Sequence, residues 1–359
     1  MSKKVINQIT ATMSVGDAIS NEVLAIKRIL DNMGIENNIY AENIHPKLKK
    51  YVNNYREYKG NRDHILINHF GIGSAVNDYV IKLRNTIKII RYHNITPSSF
   101  FEGYNLVTSR LCNLGREQLK NSKEIYTYSL AVSEYNKEEL INLGYNNITV
   151  IPIIMELDDY KKKPDDNIIK KSKKDIKNIV FVGRVSPNKK QEDIVKSFYY
   201  YNKYFNNNSR LFIVGNYEGM ERYYKQLNDL VCTLNLEKYV KFTGHIRFEE
   251  ILGYYSIADL FLCMSEHEGF CVPLVESMYF KVPIIAYDSS AISFTLDGSS
   301  ILVKEKDYKY IAGMMDYILE NDKLREQIVS KQLNRLEQLK PERIEIEMKE
   351  YLKNILGEM

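Results

Sequence analysis

Short apolar runs alternate with amphipathic stretches along the chain, and their spacing sets its organisation. Residues 5–9, 38–41, 64–68, 87–92 and 129–132 have the length and β-branched content of strands. Between them, apolar positions at helical spacing predict helices near 21–33, 75–83 and 137–143. The polar run 161–177 carries Pro164 and interleaved acidic and basic residues, which predicts a solvated linker. Strands then resume at 178–182, 211–214, 239–242, 260–264 and 283–287. The helix after the first of these presents Ile194, Phe198, Tyr201 and Phe205 at helical spacing, a core stripe. Residues 307–339 read as two helices, and Pro341 opens a last one to about Leu356. Strand–helix alternation of this kind predicts an α/β fold with parallel sheets covered by helices. We divide it into a domain over 1–160, a second over 178–340 and a terminal helix over 341–359.

Composition narrows the class. A chain of 359 residues has length for about two domains, and 44% apolar residues suffices for ordinary cores. No run is long and apolar enough to suggest a membrane span. The start, Met-Ser-Lys-Lys-Val-Ile, leads straight into a strand, so no signal peptide is expected. Cys112, Cys232, Cys263 and Cys271 are scattered without metal-ligand spacing, which predicts free thiols in a reducing cytoplasm. A net charge of +4 argues against nucleic acid as a partner. Lys47-Leu48-Lys49-Lys50-Tyr51 is a basic stretch that we read as a solvated face, with weak membrane-surface association as the alternative.

Ligands of such sheets bind at the carboxyl ends of strands, so the loops there carry the candidate chemistry. After 260–264 comes Ser-Glu-His-Glu-Gly-Phe-Cys-Val-Pro-Leu-Val-Glu, residues 265–276. Gly269 permits close backbone approach and Pro273 suits a first helical turn, so the amides of Phe270, Cys271 and Val272 would face an anion. Glu268 in the loop and Glu276, expected in the first turn of the helix, could accept from sugar hydroxyls. Taken alone, the pair reads more simply as a loop charge and a partner of the helix dipole. In the loop after 178–182, Gly183 is followed by Arg184 and Lys189, one bidentate donor and one point charge that could clamp a diphosphate. Singly, each would be a surface cation. Gly16, after the first strand, would let backbone approach a donor phosphate or sugar, or is a plain turn glycine. The loop 69–76 resembles G-x-G-x-x-G but has Val76 in the last glycine position, and we read a tight turn. His93 ends a strand and could reach into a cleft, although a lone histidine there is more often structural.

Three of these segments occur in order and together resemble the retaining GT-B glycosyltransferases of family 4. Glu268 to Glu276 resembles their E-x7-E motif, and Gly183-Arg184 to Lys189 their G-R-x4-K diphosphate motif. Thr243-Gly244-His245-Ile246 resembles the turn whose backbone and apolar Ile246 receive the base, and Asp288-Ser289-Ser290 the turn past the donor pocket. Tyr92-His93-Asn94-Ile95-Thr96-Pro97 is similar to a segment in which the histidine lies beside the donor sugar. The resemblance spans 179–303, and rests on Gly16-Asp17-Ala18 and the His93 loop before that. It departs at Cys271 and Lys281, where glycine is frequent, which puts donor preference in doubt more than activity.

The resemblance implies two facing Rossmann-like domains with the active site in the cleft, and a terminal helix that returns to the first domain. It implies transfer of a hexose from a UDP- or GDP-sugar to a hydroxyl acceptor, with retention, in polysaccharide or glycoconjugate assembly. Glu268, His93, Arg184 and Lys189 would be the catalytic set, and Gly16, Gly183, Ile246, Phe270, Cys271, Val272 and Glu276 the donor pocket. No cofactor or metal is expected: the chain has no D-x-D, and paired cations would take that part. A lipid-linked or polysaccharide glycan would be the acceptor, and the inner membrane face the setting. A nucleotide-sugar epimerase and a non-catalytic sugar-nucleotide-binding partner are the rival readings.

Overall fold

The computed structural model describes residues 5–172 and 175–358. It divides into two compact units, the first of Met1–Ser99, Val107–Leu157 and Leu339–Met359, the second of Phe100–Leu106 and Asp158–Gln338.

The first unit is built on β1 (Val5–Met13), α1 (Ala18–Asn32), β2 (Ile39–Ile44), β3 (Val52–Asn54), β4 (His64–Phe70), α2 (Ala75–Lys82) and β5 (Ile87–Tyr92). It continues through α3 (Leu106–Asn121), β6 (Tyr128–Ala131), α4 (Glu134–Asn142) and β7 (Ile148–Val150). Its seven strands are all parallel in the order β3-β2-β1-β4-β5-β6-β7. The order reverses between β1 and β4, the switch point at which open α/β sheets bind ligands.

The second unit holds α5 (Asp166–Lys171), β8 (Lys177–Val182), α6 (Gln191–Tyr204), β9 (Ser209–Val214), α7 (Glu221–Thr233), β10 (Val240–Phe242) and α8 (Phe248–Ser256). There follow β11 (Leu260–Cys263), α9 (Val272–Tyr279), β12 (Ile284–Tyr287), α10 (Ile292–Leu296), β13 (Ile301–Val303), α11 (Tyr308–Glu320) and α12 (Asp322–Gln338). Its six parallel strands run β10-β9-β8-β11-β12-β13, with the switch point between β8 and β11. The last helix, α13 (Pro341–Glu358), belongs to the first unit, where Ile344, Met348, Leu352 and Ile355 join Ile6, Ile26, Ile65 and Ile89 in one buried cluster.

Several expectations differ from the structure. Sequence reading placed no element at β3, β7 or β13, each only three residues long, and missed α3. That helix carries Gly115, which lowers its helical signature. Packing requires it: a Cβ on Gly115 would lie 2.5 Å from the Gly73 amide, and one on Gly73 would lie 2.4 Å from the Leu111 carbonyl. Gly73 of the 69–76 loop therefore serves backbone contact with a helix, while a Cβ on Gly71 would instead press on the Ile19 side chain at 2.9 Å. The segment read as a linker is in part folded. Its α5 sits on α8, with Ile168 against Gly253, while Lys173 and Lys174 lie outside the described residues. Phe205 caps α6 and is exposed, so the core stripe ends at Tyr201.

One face of the first sheet explains how its carboxyl edge is made. Register places Gln8 beside Ile67, and His69 beside Arg91. Because side chains alternate, Ile6 and Gln8, Ile67 and His69, and Ile89 and Arg91 share that face. It is apolar low on the strands and polar at their ends. There Arg91 is fully buried, and its guanidinium meets Glu22 of α1 at 2.6 and 3.2 Å. It also donates to the carbonyls of Ala131, Ile151 and Pro152, while Glu22 accepts from the Ile154 amide. Breaking a buried pair leaves a charge without water or partner. Arg91→Met should therefore cost ~3–5 kcal/mol in urea denaturation. Adding Glu22→Leu should return only part of that, since three carbonyls stay without their donor. Single-mutant costs that simply add would refute the pairing.

Candidate functional site

The predicted residues fall in both units. In the second, three loops at the carboxyl ends of β8, β11 and β12 are stitched together. Asn188 Nδ2 donates to the His267 carbonyl at 2.9 Å, and the Glu266 amide to the Asn188 carbonyl at 2.8 Å. The Glu268 amide donates to Ser290 Oγ at 2.8 Å, and Ser289 Oγ to the Ser265 carbonyl at 2.6 Å. Within that frame Lys189 Nζ lies 2.6 Å from Glu268 Oε1. The loops involved flank the switch point. Burial works against the Lys189 ammonium, but Glu268, with the sulfurs of Cys271 and Cys263, outweighs it and holds the lysine above its ordinary pKa. The cation is thus secured at neutral pH.

Arg184 is not drawn into that pair. It is exposed, and its Nη2 donates to the Glu218 carbonyl at 3.3 Å. Gly183 has φ +150°, where a Cβ would press on Phe181 at 3.3 Å, and Gly215 approaches so closely that its Cβ would meet the Gly183 carbonyl. Glycine at both positions lets the ends of β8 and β9 close together.

Cys271 caps α9 in the left-handed region, φ 71° and ψ 67°, a conformation that favours glycine. Lys281, at φ 59°, is in the same region. Both departures from the family's glycines therefore stand where backbone strain explains the glycine. The side chains of Phe270 and Cys271 are buried, so these residues can offer a ligand only backbone. Val272 and Pro273 start the helix, whose first amides have no intrahelical acceptor.

Glu276 is the fifth residue of α9, and the first turn holds no acid, so the expected first-turn position is corrected. Pro273 enters at the start of the helix, which pushes Glu276 into the second turn. Its carboxylate is buried and accepts from Tyr160 and Tyr255 hydroxyls, each at 2.5 Å. Burial raises its pKa, and those two bonds only partly offset the rise. Burial and the neighbouring carboxylate push both phenols above their ordinary range, so they remain donors. Ile246 is half-buried between β10 and α8, next to an exposed His245, and shares no hydrogen bond with the Lys189–Glu268 pair among the described residues.

In the first unit, Gly16 has φ +81° with open space around its would-be Cβ, so the turn itself requires glycine. The Asp17 that follows caps α1 by accepting from the Ser20 amide. His93 is buried, its Nε2 3.0 Å from His69 Nδ1 and 3.5 Å from Glu22 Oε2. Burial and then Arg91 depress the His93 pKa well below the ordinary value; burial and then His93 do the same to His69. Donor atoms of Glu22, His69 and His93 lie within 4.8 Å of one another, close enough to bracket a cation. The carboxylate, however, is already taken by Arg91, and a dication would add charge beside a buried guanidinium. We read the group as a hydrogen-bond chain.

Sequence reading missed Gln8, Glu22, His69 and Arg91, as well as Tyr160 and Tyr255. Arg91 carried a usable signal: a charge inside an apolar strand must find a buried partner. The tyrosines carried none, since nothing in their spacing points to Glu276.

Residues 162–335 match the family model described as glycosyl transferases group 1. The alpha-monoglucosyldiacylglycerol synthase of Acholeplasma laidlawii is 28% identical over 146 residues, 40% of this chain and 35% of that protein. The O-antigen chain mannosyltransferase RfbU of Salmonella typhimurium is 26% identical over 245 residues, 64% of this chain and 62% of that one. The chain thus spans less than two thirds of the length of these curated relatives. Among solved structures, Anabaena Alr3699/HepE in complex with UDP-glucose superposes with a TM-score of 0.75 at 15% identity, over 97% of this chain and 99% of that one. The chain has the GT-B fold, and its residues 162–335 are similar to the glycosyl transferases group 1 family.

Proposed function

We propose that this chain is a retaining, metal-independent glycosyltransferase of family 4 that moves a hexose from a UDP- or GDP-sugar to a hydroxyl acceptor in glycoconjugate assembly. The observation that carries this reading is the Lys189–Glu268 pair, set in loops on either side of the second sheet's switch point. A fixed cation and a carboxylate there suit a donor with a diphosphate at one end and hydroxyls at the other. The acceptor oxygen bonds to the anomeric carbon as the bond to the diphosphate oxygen breaks, and the acceptor's proton leaves with the diphosphate. Lys189, Arg184 and the first amides of α9 stabilise the charge that develops. Glu268 holds sugar hydroxyls, His93 positions the sugar, and Glu276 accepts from the ribose. A relative named as a synthase of a glucosyl diacylglycerol supports a lipid acceptor. The exposed turn of Lys47, Lys49 and Lys50 suits weak contact with an anionic surface. No helix of the described residues is long and apolar enough to cross a membrane.

Incubation with UDP- and GDP-sugars, first alone and then with lipid and glycan acceptors, tests the reading. Transfer supports it; free or isomerised sugar without an acceptor means an epimerase, and no turnover with any donor sinks it. Rates should be unchanged by a chelator, and a loss restored by magnesium or manganese would contradict metal independence.

Arg184→Ala and Lys189→Ala should each remove ~2–4 kcal/mol of transition-state stabilisation, read from kcat/KM. They should differ in stability. Arg184 is an exposed loop residue, so its loss should stay within ~0.5 kcal/mol. Lys189→Ala leaves Glu268 enclosed without its cation and should lower stability by about 1–3 kcal/mol. Wild-type rates in either variant would dismiss the diphosphate clamp.

For Glu276 the pH dependence has a definite sign. Its folded pKa is raised, so its contribution to stability is complete below the unfolded value and is lost as pH rises through the folded one. At neutral pH the carboxylate is held at a cost. Glu276→Gln should therefore keep or raise the melting temperature at pH 7 while weakening UDP or GDP binding about tenfold or more. A variant that melts lower and binds with unchanged affinity by calorimetry would make Glu276 structural.

A further inference from the structure

The polar carboxyl edge of the first sheet fixes a proton pattern. Gln8 Nε2 lies 3.0 Å from the Val23 carbonyl. A carbonyl only accepts, so the amide cannot be turned the other way. Gln8 Oε1 therefore faces His69 Nε2, 3.0 Å away, and an amide oxygen demands a proton there. His69 is buried and neutral, so that is its single proton and its Nδ1 is a bare acceptor. His93 Nε2, 3.0 Å from it, must then donate, and Glu22 Oε2 at 3.5 Å on the same ring nitrogen is a second acceptor. His93 too is neutral, and it has spent its only proton. Its Nδ1 remains a lone pair, enclosed and without a partner among the described residues.

We propose that Gln8 and His69 are positioning residues that lock His93 in its Nε2–H tautomer, so that His93 Nδ1 accepts a hydrogen bond from a hydroxyl of the donor sugar. This rests on the glycosyl-transfer reading and adds a restriction to it. The group that meets His93 must be a donor, because the ring presents no hydrogen on that side. A sugar with hydrogen, fluorine or a methyl ether in place of that hydroxyl leaves the enclosed nitrogen without a partner. The amide of a strand residue three steps back along the relay thereby sets which sugars are read.

Spectra of the wild-type protein labelled with 15N-histidine decide the relay directly, with His93→Asn and His69→Asn used for assignment. At neutral pH both rings should show a protonated Nε2 and an unprotonated Nδ1. A proton on Nδ1 of either ring overturns the relay, whether or not the protein transfers sugar. Gln8→Met, which removes the amide oxygen, should give His93 a mixed tautomer pattern and lower kcat/KM about tenfold. Gln8→Glu, which still offers an acceptor to His69, should restore the wild-type ring pattern; unchanged rings in Gln8→Met would remove Gln8 from the relay. Deoxyfluoro donors, changed one hydroxyl at a time, then test the ligand. One position should cost the wild type about tenfold or more and cost His93→Ala nothing further. Equal losses in both proteins at every position overturn the sugar contact while leaving transfer intact. A chain that turns over no donor overturns the transfer reading and, with it, that contact.

Discussion

A carboxylate and a guanidinium sealed from water set the terms for the first unit. Taking Glu22 and Arg91 out of solvent costs more than their attraction alone returns, so the pair persists only with every remaining donor and acceptor satisfied. That requirement ties α1, β5, β6 and the chain after β7 to one point. His93 follows Arg91 by two residues and inherits its position from the same anchorage. The proton order of Gln8, His69 and His93 is then a consequence of geometry, because each ring has one proton and one fixed neighbour to give it to. The pair contributes definition more than stability. A histidine free to rotate, or to change tautomer, could not distinguish a hydroxyl from its absence.

The second unit meets the same problem of buried charge in two ways. Glu268 has a full counter-charge in Lys189, whereas Glu276 has only two phenols. Hydrogen bonds from those neutral donors do not offset burial, and the Glu276 pKa stays raised. An under-compensated carboxylate gains most from added donors, which is what the hydroxyls of a ribose would supply. A saturated pair gains less from a ligand but holds its loops in place beforehand. One carboxylate therefore suits organisation and the other suits binding.

How much of this the sequence disclosed follows from what each level of structure depends on. Strand ends such as 87–92 were legible because a buried parallel strand is a local apolar run. The motif residues Lys189 and Glu268 were legible because loops at switch points carry chemistry in recurring patterns. The three-residue strands β3, β7 and β13 went unread, although β10, equally short, was read at 239–242, and α3 was hidden because its Gly115 is spent on contact with Gly73. Glu276 was placed a turn too early, because a proline fixes where a helix begins only once the cap before it is known. The relay around His93 was illegible in kind: its members are separated by up to 85 residues, between Gln8 and His93, and only the register of β1, β4 and β5 brings them together.

Strain at Cys271 connects the fold to the chemistry. An L-residue in the left-handed region costs roughly 1–2 kcal/mol, and glycine would avoid it. Lys281 carries the same backbone cost at an exposed position, in the turn that follows α9. Cys271 differs because its free thiol is buried and hydrogen-bonded to that of Cys263, near the Lys189–Glu268 pair. Its side chain therefore returns packing that glycine could not. The first amides of α9, which have no intrahelical acceptor, follow directly from this turn. On the proposed reading, the effect of the Cys271 side chain would be on which sugar fits, with the backbone amides of α9 still free to meet the leaving diphosphate.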